Sequence, residues 1–296
     1  MRARRTTRAG ILGAGLALVL SLAACGGGSD AGATTDVAKD VSFPAGSTMA
    51  KLHDAGAVKI GVKFDQPGIG FKKPGSDTPQ GFDIEMGKIV AAKLGIDPSK
   101  VDWVETVSKN REPFLQNGTV DFVIASYSIT DKRRQVVGQA GPYYVTGQQL
   151  LVRKDDSSIN GPDDLKGKKV CSVTGSTSIK TVEEKYGASP APFSTYSECV
   201  QQLKNKQVDA VTTDGAILLG YAAEDPDNLK VVGDAFSEER YGIGFKKGDT
   251  DMCSFLNKTL TDAFADGSWK AAFDKTLGKS GVAAPTAPTL DANCGA

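Results

Sequence analysis

The sequence has little of what most enzymes and nucleic-acid-binding proteins use. It contains one histidine, His53, among 296 residues, so the commonest general base and metal ligand is nearly absent. Lys plus Arg and Asp plus Glu number 35 each, which leaves no excess of positive charge for binding a nucleic acid. The 40% hydrophobic and 24% charged residues are typical of a globular protein with a core. We therefore predict neither an enzyme nor a nucleic-acid-binding protein, and no metal or cofactor.

The N-terminus also lacks an apolar run long enough to span a bilayer. Four arginines lie within the first eight residues, and the apolar run that follows covers only residues 9–24, short of the about 20 residues that a membrane-spanning helix needs. A basic start, a short apolar stretch and small residues at its end are the parts of an export signal. The end, Leu22-Ala-Ala-Cys25, resembles a bacterial lipobox, whose cysteine is lipidated. We predict a signal peptide over 1–24, and a lipidated Cys25 with a flexible tether over 25–48; the alternative is a membrane anchor with an incidental cysteine.

The sequence has five cysteines. If Cys25 is lipidated, four remain, at positions 171, 199, 253 and 294. An exported protein meets oxidising conditions, so four thiols indicate two disulfides, with three possible connectivities. No pair has C-x-x-C spacing, which gives zinc or thioredoxin-like chemistry little support. We favour pairing of neighbours along the chain, Cys171 with Cys199 and Cys253 with Cys294.

From about residue 49 the chain alternates short β-rich segments with helical ones. Segments 59–62, 101–107 and 120–125 are predicted strands, and 83–94 is a predicted helix. This alternation predicts mostly parallel sheets with helices on both faces. A weak internal repeat, in which Val120-Asp-Phe-Val matches Val208-Asp-Ala-Val, indicates two similar α/β lobes.

Polar loops follow a predicted strand in each lobe. Ser126-Tyr-Ser128 lies in one lobe and Thr213-Asp214 in the other. Ligands of open α/β sheets bind at the carboxyl ends of strands, so two such loops could face each other across a cleft. The start of a helix near Arg133 suits a carboxylate, and Asp214 can pair with an ammonium. The alternatives are a solvated basic face at 132–134 and a helix N-cap at Asp214.

Residues from about 57 to 278 resemble the solute-binding proteins of polar amino-acid ABC importers. The shared motifs are Gly81-Phe-Asp83, Ser-x-Ser-Ile-Thr-x-x-Arg at 126–133, Gly175-Ser-Thr177 and Val208-Asp-Ala-x-x-x-Asp214. Four segments are more narrowly similar to the glutamate-binding lipoproteins of Gram-positive bacteria: Lys63-Phe-Asp-Gln-Pro-Gly68, Cys171-Ser-Val-Thr-Gly-Ser-Thr177, Thr195-Tyr-Ser-Glu-Cys199 and Tyr241-Gly-Ile-Gly-Phe-Lys246.

The resemblance implies a periplasmic-binding-protein-like α/β fold. Two α/β lobes would be joined by a two-crossover hinge, with the ligand in the cleft between them. Lobe 1 is expected to be discontinuous, over 49–148 plus 245–296, and lobe 2 to cover 149–244. The crossovers are expected near 146–150 and 240–246.

Ligand roles follow from the resemblance only where residues match. Arg133 would hold the ligand α-carboxylate and Asp214 the α-ammonium. Arg111 and Lys63 would meet an acidic side chain. Gln66 stands near a position where many relatives carry an aromatic that stacks on the ligand, and its role is left open. The remaining predicted ligand-binding residues are Ser126, Ser128, Ser176, Thr177 and Tyr196.

The predicted ligand is L-glutamate. It brings two carboxylates and one ammonium into a closing cleft, and each charge costs several kcal/mol to desolvate unless it is paired. The predicted basic residues and Asp214 meet that demand. Aspartate, glutamine or another polar amino acid is the alternative ligand. The alternative classes are a dehydratase or lyase on the same scaffold and a sensor without transport.

The expected partners are the amino acid and the ABC permease subunits in the membrane. We expect a monomer, lipid-anchored to the outer face of the cell membrane, that does not bind nucleic acid.

Overall fold

The computed structural model describes residues 36–295. The predicted signal peptide and Cys25 lie outside the described residues. The strands are β1 (Val58–Val62), β2 (Asp65–Gln66), β3 (Gly70–Phe71), β4 (Val101–Glu105), β5 (Phe122–Val123), β6 (Val137–Thr146), β7 (Gln148–Arg153), β8 (Lys169–Val173), β9 (Ser189–Phe193), β10 (Ala210–Asp214), β11 (Leu229–Val232) and β12 (Glu239–Lys246).

Helices alternate with these strands along most of the described chain. They are α1 (Thr48–Ala55), α2 (Phe82–Lys93), α3 (Arg111–Asn117), α4 (Asp131–Arg134), α5 (Thr177–Tyr186), α6 (Tyr196–Lys204), α7 (Gly215–Glu224), α8 (Thr250–Asp266) and α9 (Ser268–Lys275). Short 3-10 turns cover Pro98–Lys100, Ser108–Asn110, Pro162–Leu165 and Leu277–Ser280. Within the described range, no helix has both the length and the apolar character that a bilayer crossing requires.

Two five-stranded sheets organise the fold. The first has the strand order β4-β1-β5-β12-β6, and the second has the order β11-β7-β10-β8-β9. In the first sheet β1 runs parallel to β4 and β5, while β12 runs antiparallel to β5 and β6. In the second, β8 runs parallel to β9 and β10, and β7 is antiparallel to β10 and β11. The α/β architecture with two lobes, predicted from the sequence, is confirmed, but the prediction of mostly parallel sheets is wrong, because each sheet has two parallel and two antiparallel strand pairs. We call the part around the first sheet lobe 1 and the part around the second lobe 2.

The chain crosses between the sheets twice. The first crossover is at Gly147, between the end of β6 and the start of β7, within the predicted 146–150. The second crossover comes earlier than predicted, because β12 starts at Glu239 and already pairs with β6 of the first sheet. Lobe 1 therefore resumes by Glu239 and not at 245. The sequence predicts a strand at 241–246, but its composition does not indicate which sheet the strand joins.

Local capping signals set the starts of the helices that border the cleft. The Thr130 hydroxyl accepts from the N–H of Arg133 at the start of α4, and the Ser176 hydroxyl accepts from the N–H of Ile179 at the start of α5. Side-chain caps of this kind typically contribute about 1 kcal/mol. Because α5, α6 and α7 follow β8, β9 and β10, their N-termini lie at the carboxyl ends of the second sheet's strands.

The core of lobe 1 contains an aromatic cluster between α2, β6 and α9. Phe82 packs edge-on against Tyr144, Trp269 and Phe273. The Trp269 indole N–H donates to the backbone oxygen of Tyr143 at 2.8 Å, so its polar atom is satisfied inside the core. Leu256 and Leu260 of α8, Trp269 and Phe273 of α9, and Leu277 just after α9 are also buried, so the C-terminal helices contribute to this core.

Two disulfides have the predicted connectivity. Cys171 of β8 is bonded to Cys199 of α6 within lobe 2. Cys253 of α8 is bonded to Cys294 in the C-terminal tail. The second disulfide fastens a tail that contains no helix or strand from 282 to 295.

Candidate functional site

The ligand-binding residues predicted in the two lobes meet in a small polar cavity between the lobes. Eight of the ten line its wall: Arg111, Ser126, Ser128, Arg133, Ser176, Thr177, Tyr196 and Asp214. Four further residues line the wall: Thr213, which the sequence analysis placed only in the polar loop before Asp214, and Ser108, Ser178 and Ile217, which it did not single out. Ser178 directly follows the motif Gly175-Ser-Thr177, so extending that motif by one position would have found it.

Lys63 and Gln66 lie one hydrogen bond behind the cavity wall. The Lys63 ammonium donates to the Ser108 hydroxyl at 2.8 Å, and the Ser126 hydroxyl donates to Gln66 Oε1 at 3.0 Å. Gln66 is completely buried, and its Nε2 has no hydrogen-bond partner among residues 36–295. Burial, helped by the positive charge of Arg111, lowers the pKa of Lys63 to about 7. The amine therefore changes charge near neutral pH.

Arg111 is a buried cation whose hydrogen-bond partners are neutral. It begins α3 and is 2% exposed. Its Nε donates to the Ser108 carbonyl, and its Nη1 donates to the carbonyls of Ala125 and Ser126, at 3.1–3.2 Å. Its guanidinium carbon lies 4.6 Å from the centre of the Tyr127 ring. Burial, and the charge of nearby Arg133, lower its pKa to about 10, so it stays charged at neutral pH. In the described part of the chain it forms no ion pair.

Arg133 is also buried, but it has a carboxylate partner. Its Nε lies 3.1 Å from Glu112 Oε1, and its Nη1 donates to the Ser128 carbonyl at 2.7 Å. Its guanidinium carbon is 4.9 Å from the centre of the Tyr127 ring. With 8% of its surface exposed, Arg133 does not belong to a solvated basic face.

Gly175 of lobe 2 contacts both arginines of lobe 1. Its carbonyl accepts from Arg111 Nη2 at 3.1 Å and from Arg133 Nη2 at 3.0 Å. Its φ of +87° favours glycine, and a Cβ there would lie 2.8 Å from the backbone of Lys109. The close approach of the two lobes at this point therefore requires a residue without a side chain.

Asp214 presents a free carboxylate oxygen at the end of β10. Its Oδ2 accepts from the Tyr241 hydroxyl at 2.6 Å, whereas its Oδ1 is buried without a partner in the described residues. Asp214 occupies the N-cap position of α7, but its side chain accepts no hydrogen bond from that helix, so capping does not account for its carboxylate. Burial, and the negative charge of Glu239, raise its pKa to about 7. A cationic ligand group would supply the missing partner.

Hydroxyl groups of lobe 2 complete the wall. The Thr213 hydroxyl donates to the Tyr196 oxygen at 2.7 Å. The Thr177 hydroxyl donates at 3.1 Å to Glu239 Oε2, a buried carboxylate of β12 that sequence reasoning missed. The N-terminus of α5 at Ser176 and Thr177 adds a positive dipole end to the cavity wall.

Asp83 positions the Ser126 loop from behind. Asp83 Oδ2 accepts from the Ser126 N–H at 2.7 Å, and Asp83 Oδ1 accepts from the Tyr143 hydroxyl at 2.6 Å. Ser126 has a φ of +42°, in the left-handed region that few non-glycine residues adopt. Asp83 stabilises this turn, from which two carbonyls point to Arg111. The sequence flagged Asp83 only as part of Gly81-Phe-Asp83, with no role assigned.

Comparison with known proteins agrees with the geometry. Residues 58–279 match the model of the bacterial extracellular solute-binding proteins, family 3. The glutamate-binding protein GluB of Corynebacterium glutamicum is 36% identical over 295 residues, 95% of each chain. The ABC transporter glutamine-binding protein GlnH of Bacillus subtilis is 38% identical over 262 residues, 88% of this chain and 93% of the relative.

Solved structures agree on the fold. An ancestral arginine-binding protein bound to glutamine has a TM-score of 0.71 and 37% identity to this chain, covering 75% of this chain and 98% of its own. These relatives are binding proteins, which confirms the resemblance seen in the motifs and the prediction of a binding protein in place of an enzyme.

Proposed function

The chain belongs to the bacterial extracellular solute-binding proteins, family 3, and we propose that it captures L-glutamate and delivers it to the permease of an ABC importer. One observation carries the choice of glutamate. Arg111 and Lys63 are buried basic groups that form no ion pair with a carboxylate among the described residues. A buried charge without a counter-charge costs several kcal/mol. The side-chain carboxylate of glutamate supplies that counter-charge, whereas the amide of glutamine does not.

The remaining groups divide between the two ends of the amino acid backbone. Asp214, with its unpartnered Oδ1, binds the α-ammonium. Arg133, with Ser128 from lobe 1 and Thr177 from lobe 2, binds the α-carboxylate. A bidentate guanidinium fits a carboxylate best, so Arg133 exchanges its bond to the Gly175 carbonyl for the ligand. Gln66 supports Ser126 from behind the wall, and Ser126 lies beside the ammonium.

Glutamine is the second candidate ligand. The GlnH relative, named for glutamine, is as similar to this chain as the GluB relatives. The pKa of about 7 at Lys63 also favours tolerance of an amide, because the amine can bind a neutral group after losing its proton.

Isothermal titration calorimetry of the ligand-free protein tests the proposal. Titration with glutamate, aspartate, glutamine and arginine at one ionic strength should give the tightest binding with glutamate and no turnover of it. Tighter binding of glutamine or arginine would contradict the choice of ligand and leave the family unaffected.

We also propose that Cys25 anchors the protein to the outer face of the membrane. The support is the Leu22-Ala-Ala-Cys25 sequence after a basic and apolar N-terminal segment. A single acyl chain holds a protein only marginally, so stable anchoring needs the two or more chains of a lipoprotein cysteine. Cys25→Ala should abolish labelling by radioactive palmitate and release the protein from membranes. Continued labelling of the variant would contradict the assignment.

A further inference from the structure

Asp65 of lobe 1 accepts hydrogen bonds from two helices of lobe 2. Its Oδ2 accepts from the backbone N–H groups of Tyr196 and Ser197, at 2.7 and 3.4 Å. Its backbone oxygen accepts from the hydroxyl of Tyr221 in α7. Asp65 begins the short strand β2, which follows the end of β1 at Val62. A single residue thus joins lobe 1 to the first turn of α6 and to α7.

Two N–H groups in the first turn of α6 have Asp65 as their acceptor. A helix leaves its first N–H groups without intrahelical acceptors. Within lobe 2, the Thr195 hydroxyl accepts from the Glu198 N–H, and the Thr195 carbonyl accepts from the Cys199 N–H. The two preceding N–H groups, of Tyr196 and Ser197, have Asp65 as their acceptor in the described structure. A carboxylate there also interacts favourably with the helix dipole.

The backbones around this contact fit each other only without a side chain at Gly220. A Cβ at Gly220 of α7 would lie 2.2 Å from the carbonyl oxygen of Pro67. Pro67 follows β2 directly, and Gly220 precedes Tyr221, so this approach and the Asp65 hydrogen bonds belong to one interface. Lobe 2 must be against lobe 1 for any of these contacts to form.

We propose that Asp65 is a latch that stabilises the closed arrangement of the lobes and positions Tyr196 at the cavity. This inference rests on the proposed function, because Tyr196 is one of the proposed ligand-binding residues. Its backbone N–H is held by Asp65, while its hydroxyl oxygen accepts from Thr213 beside the cavity. Closure and completion of the binding site are therefore coupled through one residue. A ligand that binds the closed form gains affinity in proportion to the closed population.

Three variants separate the latch from a general effect on folding. Asp65→Asn keeps the volume and removes the charge. Tyr221→Phe removes the second latch bond and leaves the Asp65 carboxylate in place. Thr195→Ala is the matched control, because it removes a cap of the same helix that comes from lobe 2 itself. None of the three changes a proposed ligand contact.

Affinity and release rate are measured with whichever amino acid the wild type binds most tightly. Charge-assisted hydrogen bonds are among the stronger ones, so Asp65→Asn should weaken binding about tenfold, mostly through faster release of the radiolabelled amino acid in a chase experiment. Tyr221→Phe should act in the same direction with a smaller change. Thr195→Ala should lower the midpoint of thermal unfolding and leave the release rate within about twofold of the wild type.

The outcomes distinguish the latch from the choice of ligand. If Asp65→Asn releases the amino acid at the wild-type rate, or if Thr195→Ala accelerates release equally, the latch is wrong. If the wild type prefers glutamine to glutamate and Asp65→Asn still accelerates glutamine release, the latch stands and only the proposed ligand fails.

Discussion

At the residue scale, the proposed choice of ligand depends on buried charges that differ in their partners. Arg133 has Glu112 at 3.1 Å, while the hydrogen bonds of Arg111 within the described chain go to carbonyl oxygens. An anionic ligand side chain therefore gains most at Arg111. A neutral amide of the same shape leaves this guanidinium without a counter-charge.

Replacing Arg111 by Met should therefore weaken glutamate more than glutamine. Methionine keeps much of the volume and removes the charge, so glutamate loses on the order of 3–5 kcal/mol, the usual cost of breaking a buried pair. Glutamine should lose much less, because it does not form the pair. Calorimetric titration of both ligands against wild type and variant measures the difference.

Arg133→Met is the matched control, because both ligands present the same α-carboxylate. It should weaken glutamate and glutamine by similar amounts. Equal losses of the two ligands in Arg111→Met would remove Arg111 as the selective residue and transfer that role to Lys63 or Tyr196.

The affinity for glutamate should have a maximum near pH 7. The pKa of Asp214 is raised to about 7 by burial and by Glu239, so below pH 7 the carboxyl is protonated and must lose its proton to bind the ammonium. The pKa of Lys63 is lowered to about 7 by burial and by Arg111, so above pH 7 the amine is neutral and must gain a proton to pair with the carboxylate. Calorimetric titrations with glutamate from pH 5.5 to 8.5, about 1.5 pH units on each side of pH 7, give the dependence of affinity on pH.

Two comparisons test the origin of the two sides of this profile. Glutamine should show the acid-side loss but little alkaline-side loss, because it needs no charged Lys63. Lys63→Met should remove the alkaline-side loss for glutamate. An unchanged alkaline side in Lys63→Met would contradict this assignment.

The sequence predicted the chemistry of the site better than its supporting residues. Arg133 and Asp214 lie in motifs with distinctive spacing, Arg111 was predicted from the family resemblance, and all three line the cavity. Asp83 and Glu239 were assigned no role, because each acts through a partner more than 40 residues away along the chain, Ser126 or Thr177. A carboxylate in a motif shows its charge, but only the tertiary structure shows which N–H or hydroxyl it accepts from.

At the element scale, the C-terminal tail acts as a strap over β6 and β12, the two strands of lobe 1 that adjoin the crossovers. Asp291 forms ion pairs with Arg134 of α4 and Arg240 of β12. Its N–H donates to the carbonyl of Gly141 in β6 at 2.8 Å. The Cys294 carbonyl accepts from β6 as well. The strap thus holds β6, β12 and the helix that carries Arg133.

Removal of the disulfide that fastens this tail should lower stability. For a 41-residue separation, the chain-entropy account gives about 4 kcal/mol. The double variant Cys253→Ser, Cys294→Ser, which leaves no unpaired thiol from this pair, should therefore lose roughly 2–5 kcal/mol in the free energy of unfolding. Denaturant unfolding of variant and wild type measures it.

The other disulfide provides the comparison for this prediction. The double variant Cys171→Ser, Cys199→Ser should lose a similar free energy of unfolding, but it should also weaken ligand binding. Cys171 lies in β8, which precedes Ser176, and Cys199 lies in α6, which carries Tyr196. A Cys253/Cys294 variant as stable as the wild type would show that the ion pairs of Asp291 hold the tail without the disulfide.

Element types were predictable where a segment carries its own periodicity. Helix α2 and strand β1 follow the predicted 83–94 and 59–62 within one residue. The sheet to which a strand belongs was not predictable for β12, since pairing with β6 is set by the fold and not by residues 239–246. The hairpin of β2 and β3 has only two residues per strand, too few for an alternating pattern to be visible.

At the scale of the whole molecule, binding depends on two lobes that approach backbone to backbone. Gly175 meets the backbone of Lys109 on one side of the cavity, and Gly220 meets the backbone of Pro67 at the Asp65 interface. These glycines have no side chain to contribute, so their role is to allow the approach. A side chain at either position should hinder closure of the two lobes without unfolding either lobe.

Gly220→Ala should therefore stabilise a helix and weaken binding in the same protein. Gly220 lies within α7, where Ala is favoured over Gly by about 1 kcal/mol in a helix interior, so the ligand-free variant should unfold at the same or a higher temperature. A Cβ 2.2 Å from the Pro67 oxygen cannot be accommodated without moving the backbone, so the closed form should be destabilised and the affinity should fall about tenfold or more.

Gly161→Ala is the matched control, because a Cβ at Gly161 meets nothing within 4 Å, and this variant should bind as the wild type does. Calorimetry gives the affinities, and small-angle scattering with saturating ligand shows whether the variant retains the larger radius of the open form. If Gly220→Ala binds with wild-type affinity, the ligand-bound lobes do not approach each other as closely as in this structure.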